Sequence, residues 1–191
     1  MMGRKRTIDR EELMGAVEAV VRRDGIGGLS IDAVAKEAGV SKSSVVYDCE
    51  TKAGLLAAFT RHQLAQHRAK FDATALRFAG QPNACLKSLI ETFRTAPTDE
   101  DVAMALLLSV GMGANSECRD IMRTEMRMDA ERIRAEAADP QRMLRTLLTL
   151  HGMAFLEFYD LHRFDESSRT TLLDDLMAIA ESDEGAPNPQ T

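Results

Sequence analysis

Lys42, Ser43, Ser44 and Tyr47 place an ammonium group, two hydroxyls and a phenol within six consecutive residues. Groups of this kind contact phosphate oxygens and base edges, so on the first turns of one helix they suit nucleic acid. Lys52 stands at the start of another helix, where a cation gains nothing from the macrodipole. A phosphate partner would account for its placement. Ser30 precedes a third helical segment; its hydroxyl can cap that helix and can also reach phosphate. Arg4, Lys5 and Arg6 give the chain a basic start. That start is either a phosphate-steering arm, with Arg6 as a DNA contact, or an ordinary solubilising terminus.

These residues need a scaffold, and the stretch from Ile31 to Asp48 supplies one. It reads as two short helices joined by a tight turn. Ala35 is small enough to let the helices approach. Gly39 can take positive φ without steric cost, which ends the first helix. Ser41 can cap the second helix, and Val34, Val40 and Val45 supply a shared core. This is the pattern of a helix-turn-helix, whose second helix enters the DNA major groove. A helical hairpin of no special purpose would show the same apolar spacing.

The rest of the chain has helical period throughout, and no run alternates like a strand. Asp9 and Glu12 stand at capping-box spacing before a first helix, whose buried stripe is Leu13, Ala16, Val17, Val20 and Val21. Gly25, Gly27 and Gly28 break it. Ser30 opens a helix to Ala38, and another runs from Lys42 to about Cys49. Thr51 caps a long fourth helix, with Leu55, Leu56 and Phe59 inward, reaching Phe78 before Gly80 and Pro82. Further helices are expected over 83–95, from Asp99 to about Gly111–Gly113, after Asn115-Ser116, from Pro140, and after Asp165. The expected fold is therefore all-α with about nine helices. Residues 1–51 are read as the helix-turn-helix domain, 52–182 as a helical ligand-binding and dimerisation domain, and 183–191 as a disordered tail.

Composition narrows the partners. The net charge is −6, but residues 1–60 hold nine cationic and nine anionic side chains and are neutral. The whole deficit falls on the remainder, which should repel DNA from that surface. No apolar run reaches the roughly 18 residues of a membrane span, and no secretory leader is evident. Cys49, Cys85 and Cys118 are odd in number and lack metal-ligand spacing, which fits a reduced, cytoplasmic protein. Cys49 sits between Asp48 and Glu50, whose charges raise a thiol pKa, so it reads as inert. His62 and His67 do not have chelating spacing. Without a glycine-rich phosphate loop, a metal site or a nucleophile–base pair, no enzyme, cofactor or catalytic residue is expected.

Two C-terminal helices point to a partner copy. From Leu147 to Leu161 the eighth helix is apolar on nearly all sides and must be covered on all of them. Its own domain can cover one side and a second subunit the other. The expected homodimer interface is residues 140–164 and 166–182. The alternative is that both are ordinary core helices. Eleven methionines also suggest an adaptable apolar pocket for a small apolar ligand. Its candidate lining is Phe93, Met104, Leu108, Met112, Met122, Met126 and Phe155, with His151 and Tyr159 as polar anchors. Core filler is the competing reading for each.

Residues 7–60 resemble the DNA-binding domain of the tetracycline-repressor (TetR) family. The resemblance is carried by Gly25, the run Ser30-Ile-Asp-Ala-Val-Ala-Lys-Glu-Ala-Gly-Val-Ser, and Lys52 with Leu55 opening the next helix. It implies an all-helical homodimer that binds palindromic DNA, with a C-terminal pocket whose ligand usually releases the DNA. On that basis the chain is expected to be a ligand-responsive transcriptional regulator, a repressor, binding operator DNA. The alternative is a ligand-binding or protein-interaction module whose helix-turn-helix is structural. The family pattern is altered at Val46, Asp48 and Cys49, where a Tyr, a His or Tyr, and a core Phe are usual. Tyr47 would then carry the phosphate or thymine-methyl contact. Asp48 would accept from a cytosine amine, brace Lys52, or simply face solvent.

Overall fold

The computed structural model describes residues 9–183. Arg4, Lys5 and Arg6 fall outside them, as does the tail from 184 onward. The described residues contain nine α-helices and no strand. The helices are α1 Arg10–Gly28, α2 Ile31–Ala38, α3 Lys42–Asp48, α4 Lys52–Ala75, α5 Ala84–Thr92, α6 Asp99–Ala114, α7 Ser116–Glu136, α8 Pro140–Phe158 and α9 Glu166–Glu181. A 3₁₀ turn, Leu76–Phe78, ends α4 sooner than the sequence suggests.

Local chemistry sets most of these ends. Asp9, Asp139 and Asp165 accept from the backbone N–H of Glu12, Arg142 and Ser168, which caps α1, α8 and α9. Thr51 Oγ1 accepts from Gly54 N at 3.0 Å to cap α4. Gly39 closes α2 in the left-handed region, at φ 65°. Gly25 lies inside α1 at φ 67°, ψ 178°, a region essentially closed to residues with a Cβ. The Gly25→Ala protein is therefore expected to lose about 1–3 kcal/mol of stability, read from the midpoint of urea unfolding.

The helices form two compact units. The first takes the described residues up to Ala65 together with Leu106–Met122; the second takes Gln66–Ala105 and the residues from Arg123 onward. The first unit thus runs on past residue 51, the end expected for the helix-turn-helix domain, to Ala65. The first half of α4 stays with the N-terminal helices because its side chains are bound there. Asn115 Nδ2 donates to the Ala53 carbonyl at 3.0 Å, and Arg61 pairs with Glu117 at 2.5 Å. A Cβ on Gly111 would lie 3.3 Å from Leu56 Cδ1.

In the first unit the α1 stripe is buried as expected, joined by Met14 and Ile26, and Val34 and Val45 are wholly enclosed. The second unit has its own core. Phe71, Leu86, Ile90, Ile133, Met143, Leu150 and Leu173 are buried there. Asp183, assigned to the tail by sequence, is buried instead and works as a clasp. Its carboxylate accepts from Ala138 N at 2.9 Å and Asp139 N at 2.8 Å, and from Asn83 Nδ2.

Candidate nucleic-acid interface

Helix α3 is anchored by one residue and presents most of the others. Val45 is buried, while Lys42, Ser43, Val46 and Tyr47 are exposed and Ser44 is half-buried. Lys42 with Val46, and Ser43 with Tyr47, are i, i+4 neighbours and share a face. Tyr47 is 88% exposed, an unusual position for a phenol ring with nothing to pack against. Ser41 does not cap α3 in the expected way. Its hydroxyl instead lies 2.9 Å from each of the Ser43 and Ser44 hydroxyls. The start of α3 is thus a cluster of three hydroxyls whose orientation can change when a partner arrives.

The two lysines already have partners in the free chain. Lys42 Nζ pairs with Asp32 Oδ2 at 2.9 Å, both ends well exposed. Lys52 Nζ donates to the Gly27 carbonyl at 2.9 Å. Lys52 thus has a second account beside a phosphate partner, because a carbonyl at the C-terminal end of α1 is a favourable place for a cation. Nor does Lys52 bond to Asp48, which is exposed at the end of α3. Ser30 is a cap: its Oγ accepts from Ala33 N at 3.1 Å. Arg6 lies outside the described residues. Asp32 is not among the residues the sequence singles out; its local signal is an aspartate on the first turn of α2, one helix before Lys42.

The ligand candidates separate. Leu108, Met112 and Met122 belong to the first unit, whereas Phe93, Met104, Met126, His151, Phe155 and Tyr159 belong to the second. Within the second unit, Phe93 meets Phe158 edge-on with centroids 6.3 Å apart. Met104 is buried and His151 is half-buried, with its pKa lowered by burial so that the neutral imidazole is favoured. Met126 is 43% exposed and Phe155 51%. Phe155 packs on Tyr159 with ring centroids 4.6 Å apart along the exposed side of α8. Among the described residues, no three His, Cys, Asp or Glu side chains are placed to hold a metal ion, and no helix is long and apolar enough to cross a membrane.

A helix-turn-helix followed by a second helical unit defines a regulator of the TetR type. The family model for the tetracycline repressor-like C-terminal domain matches residues 83–181, just over half of the chain. The chain belongs to this family of transcriptional regulators. Solved structures agree. A transcriptional regulator from Rhodococcus sp. Rha1 is 20% identical, over 94% of this chain and 100% of that one, with a TM-score of 0.67. A TetR transcription regulator from Haloarcula marismortui is 21% identical, over 91% and 97%, with a TM-score of 0.68. The multidrug binding protein EbrR, complexed with proflavin, is 23% identical, over 87% and 98%, with a TM-score of 0.56. At these identities the likeness establishes the fold. Comparison with curated proteins returns no match.

Proposed function

We propose that this chain is a ligand-responsive repressor that binds palindromic operator DNA as a homodimer. The observation that carries the reading is the uncovered face of α3, with Val45 as its root and Tyr47 and Lys42 in solvent. Tyr47 and the hydroxyls of Ser43 and Ser44 approach base edges or phosphates. Lys42, Lys52, Ser30 and Arg6 approach phosphate. Dimerisation uses residues 140–164 and 166–182. The ligand is a small apolar molecule held in the second unit near Phe93, Met104 and His151. Proflavin in EbrR is a precedent for a small aromatic ligand on this fold.

A mobility shift with DNA from beside the protein's own gene tests the reading; no specific shift across a range of salt would count against it. The ion pair makes a sharper test. Lys42→Ala should weaken specific binding by about 1–3 kcal/mol if Lys42 reaches a base edge. Asp32→Asn should act in the opposite direction. It frees Lys42 from a surface pair worth about 0–1 kcal/mol and removes an anion beside a polyanion. Binding by the Asp32→Asn protein should tighten by roughly threefold, and fluorescence anisotropy across a salt series would register both changes.

The second reading, a module that does not bind DNA, draws on Asp48. That carboxylate is exposed at the end of α3, where phosphate would repel it. A dimer that binds a small molecule but no DNA would select it.

A further inference from the structure

The first unit contains a cleft of about 350 Å³ that the DNA reading leaves unused. That volume lies within the range of small-molecule sites. Its floor is apolar, made by Leu13 and Met14 of α1, Ala58 of α4, and Cys49 at the α3–α4 turn. All four are buried in the fold. The Cys49 thiol is pushed up in pKa, first by burial and then by Asp48, so this wall carries no charge at neutral pH.

The rim is charged, and its balance can be counted. Arg61 and Glu117 pair with each other at 2.5 Å and cancel. Arg10, Asp48 and Glu50 remain, which leaves one net negative charge at the mouth. An apolar floor beneath a negative rim selects a ligand with an apolar body and one positive charge. The geometry points to a binding site for a small aromatic amine in its ammonium form. The ring rests on Leu13, Met14, Cys49 and Ala58, and the ammonium sits by Asp48 and Glu50. The site is separate from the ligand region proposed for the second unit. Two of its walls are the end of α3 and the turn that follows, so an occupant would neutralise Asp48, an anion at the end of the proposed DNA-facing helix.

The test uses the full chain without DNA, so its outcome does not depend on the DNA reading. Benzylamine, benzyl alcohol and benzoate are titrated separately at constant ionic strength and followed by calorimetry and protein NMR shifts. Benzylammonium is expected to bind with a Kd on the order of 1 mM, benzyl alcohol several-fold more weakly, and benzoate not at all. The double change Asp48→Asn with Glu50→Gln should reduce benzylammonium to the level of benzyl alcohol. It should leave the ligand-free unfolding midpoint unchanged, since both side chains are exposed. Cys49→Phe should fill the floor and abolish binding of benzylammonium and benzyl alcohol. Benzoate binding as tightly as benzylammonium would overturn the proposal. So would unchanged benzylammonium binding by the double variant, which remains informative if Cys49→Phe does not fold.

Discussion

Replacing Arg169 with Met is expected to cost the second unit about 3–5 kcal/mol. The Arg169 side chain is 7% exposed and the Glu157 side chain 4%, with Nε 2.9 Å from Oε1. Arg169 also serves α5. Its Nη1 donates to the Arg94 carbonyl at 2.8 Å, and Nη2 donates to the carbonyls of Phe93 and Thr95. Removing it leaves a buried carboxylate unpaired and uncaps the end of α5 at one stroke. Against a total of about 5–15 kcal/mol for a folded domain, this is a large fraction. Adding Glu157→Leu to Arg169→Met should restore part of the loss, because removing both charges is far cheaper than removing one. Recovery should stay incomplete, since the carbonyls of Phe93 and Arg94 still lack their donor. Urea unfolding of the two single variants and the double variant measures the coupling, and strictly additive losses would contradict it.

The same arginine shows what the sequence could and could not reveal. The sequence extends α5 to Thr95, because apolar period and a proline at 97 are all it offers. The helix ends at Thr92, and a guanidinium from α9 satisfies the three carbonyls that follow it. That partner is 75 residues away along the chain, beyond the reach of local pattern. Caps, by contrast, are local. Asp9, Ser30, Thr51, Asp139 and Asp165 all lie beside the backbone they cap, and the first three are recognisable from residue type and local position alone. The all-α fold was legible for the same reason, because a period of 3.6 residues is written in each segment separately.

The candidate interface was legible by residue type and less so by state. Lysine, serine and tyrosine at the right spacing identify the face of α3. They do not reveal that Lys42 is held by Asp32 or that Lys52 rests on the Gly27 carbonyl. Both partners sit on other helices, and an ion pair between exposed groups leaves no periodic trace. The ligand residues were the least legible. Methionine is equally at home in a core, a pocket or an interface, so a list chosen by type spread over two units.

The apolar excess of α8 leads to the second large effect. The structure divides that helix in two. Met143, Leu147, Leu150 and Met153 enter the core, while Leu148 is 69% exposed, Phe155 51%, and Leu161, just beyond the helix, 63%. Leu148 and Phe155 are one heptad apart, with Gly152 between them, so they share a stripe of the kind that packs against another helix. In a two-fold dimer each such side chain would be buried twice over, at about 1.5–3 kcal/mol apiece. Changing Leu148 and Phe155 together to Glu would instead place four carboxylates in the contact. The proposed dimer is expected to dissociate in sedimentation at concentrations where the parent chain is paired. Operator affinity should then fall by about a hundredfold to ten-thousandfold, because a lone protomer loses the second half-site's effective concentration. Both positions are exposed within the protomer, so its own core stays intact and the melting profile of the second unit should change little. A variant that dissociates yet holds the operator as tightly as before would separate DNA binding from dimerisation. One that stays paired would move the interface off this face of α8.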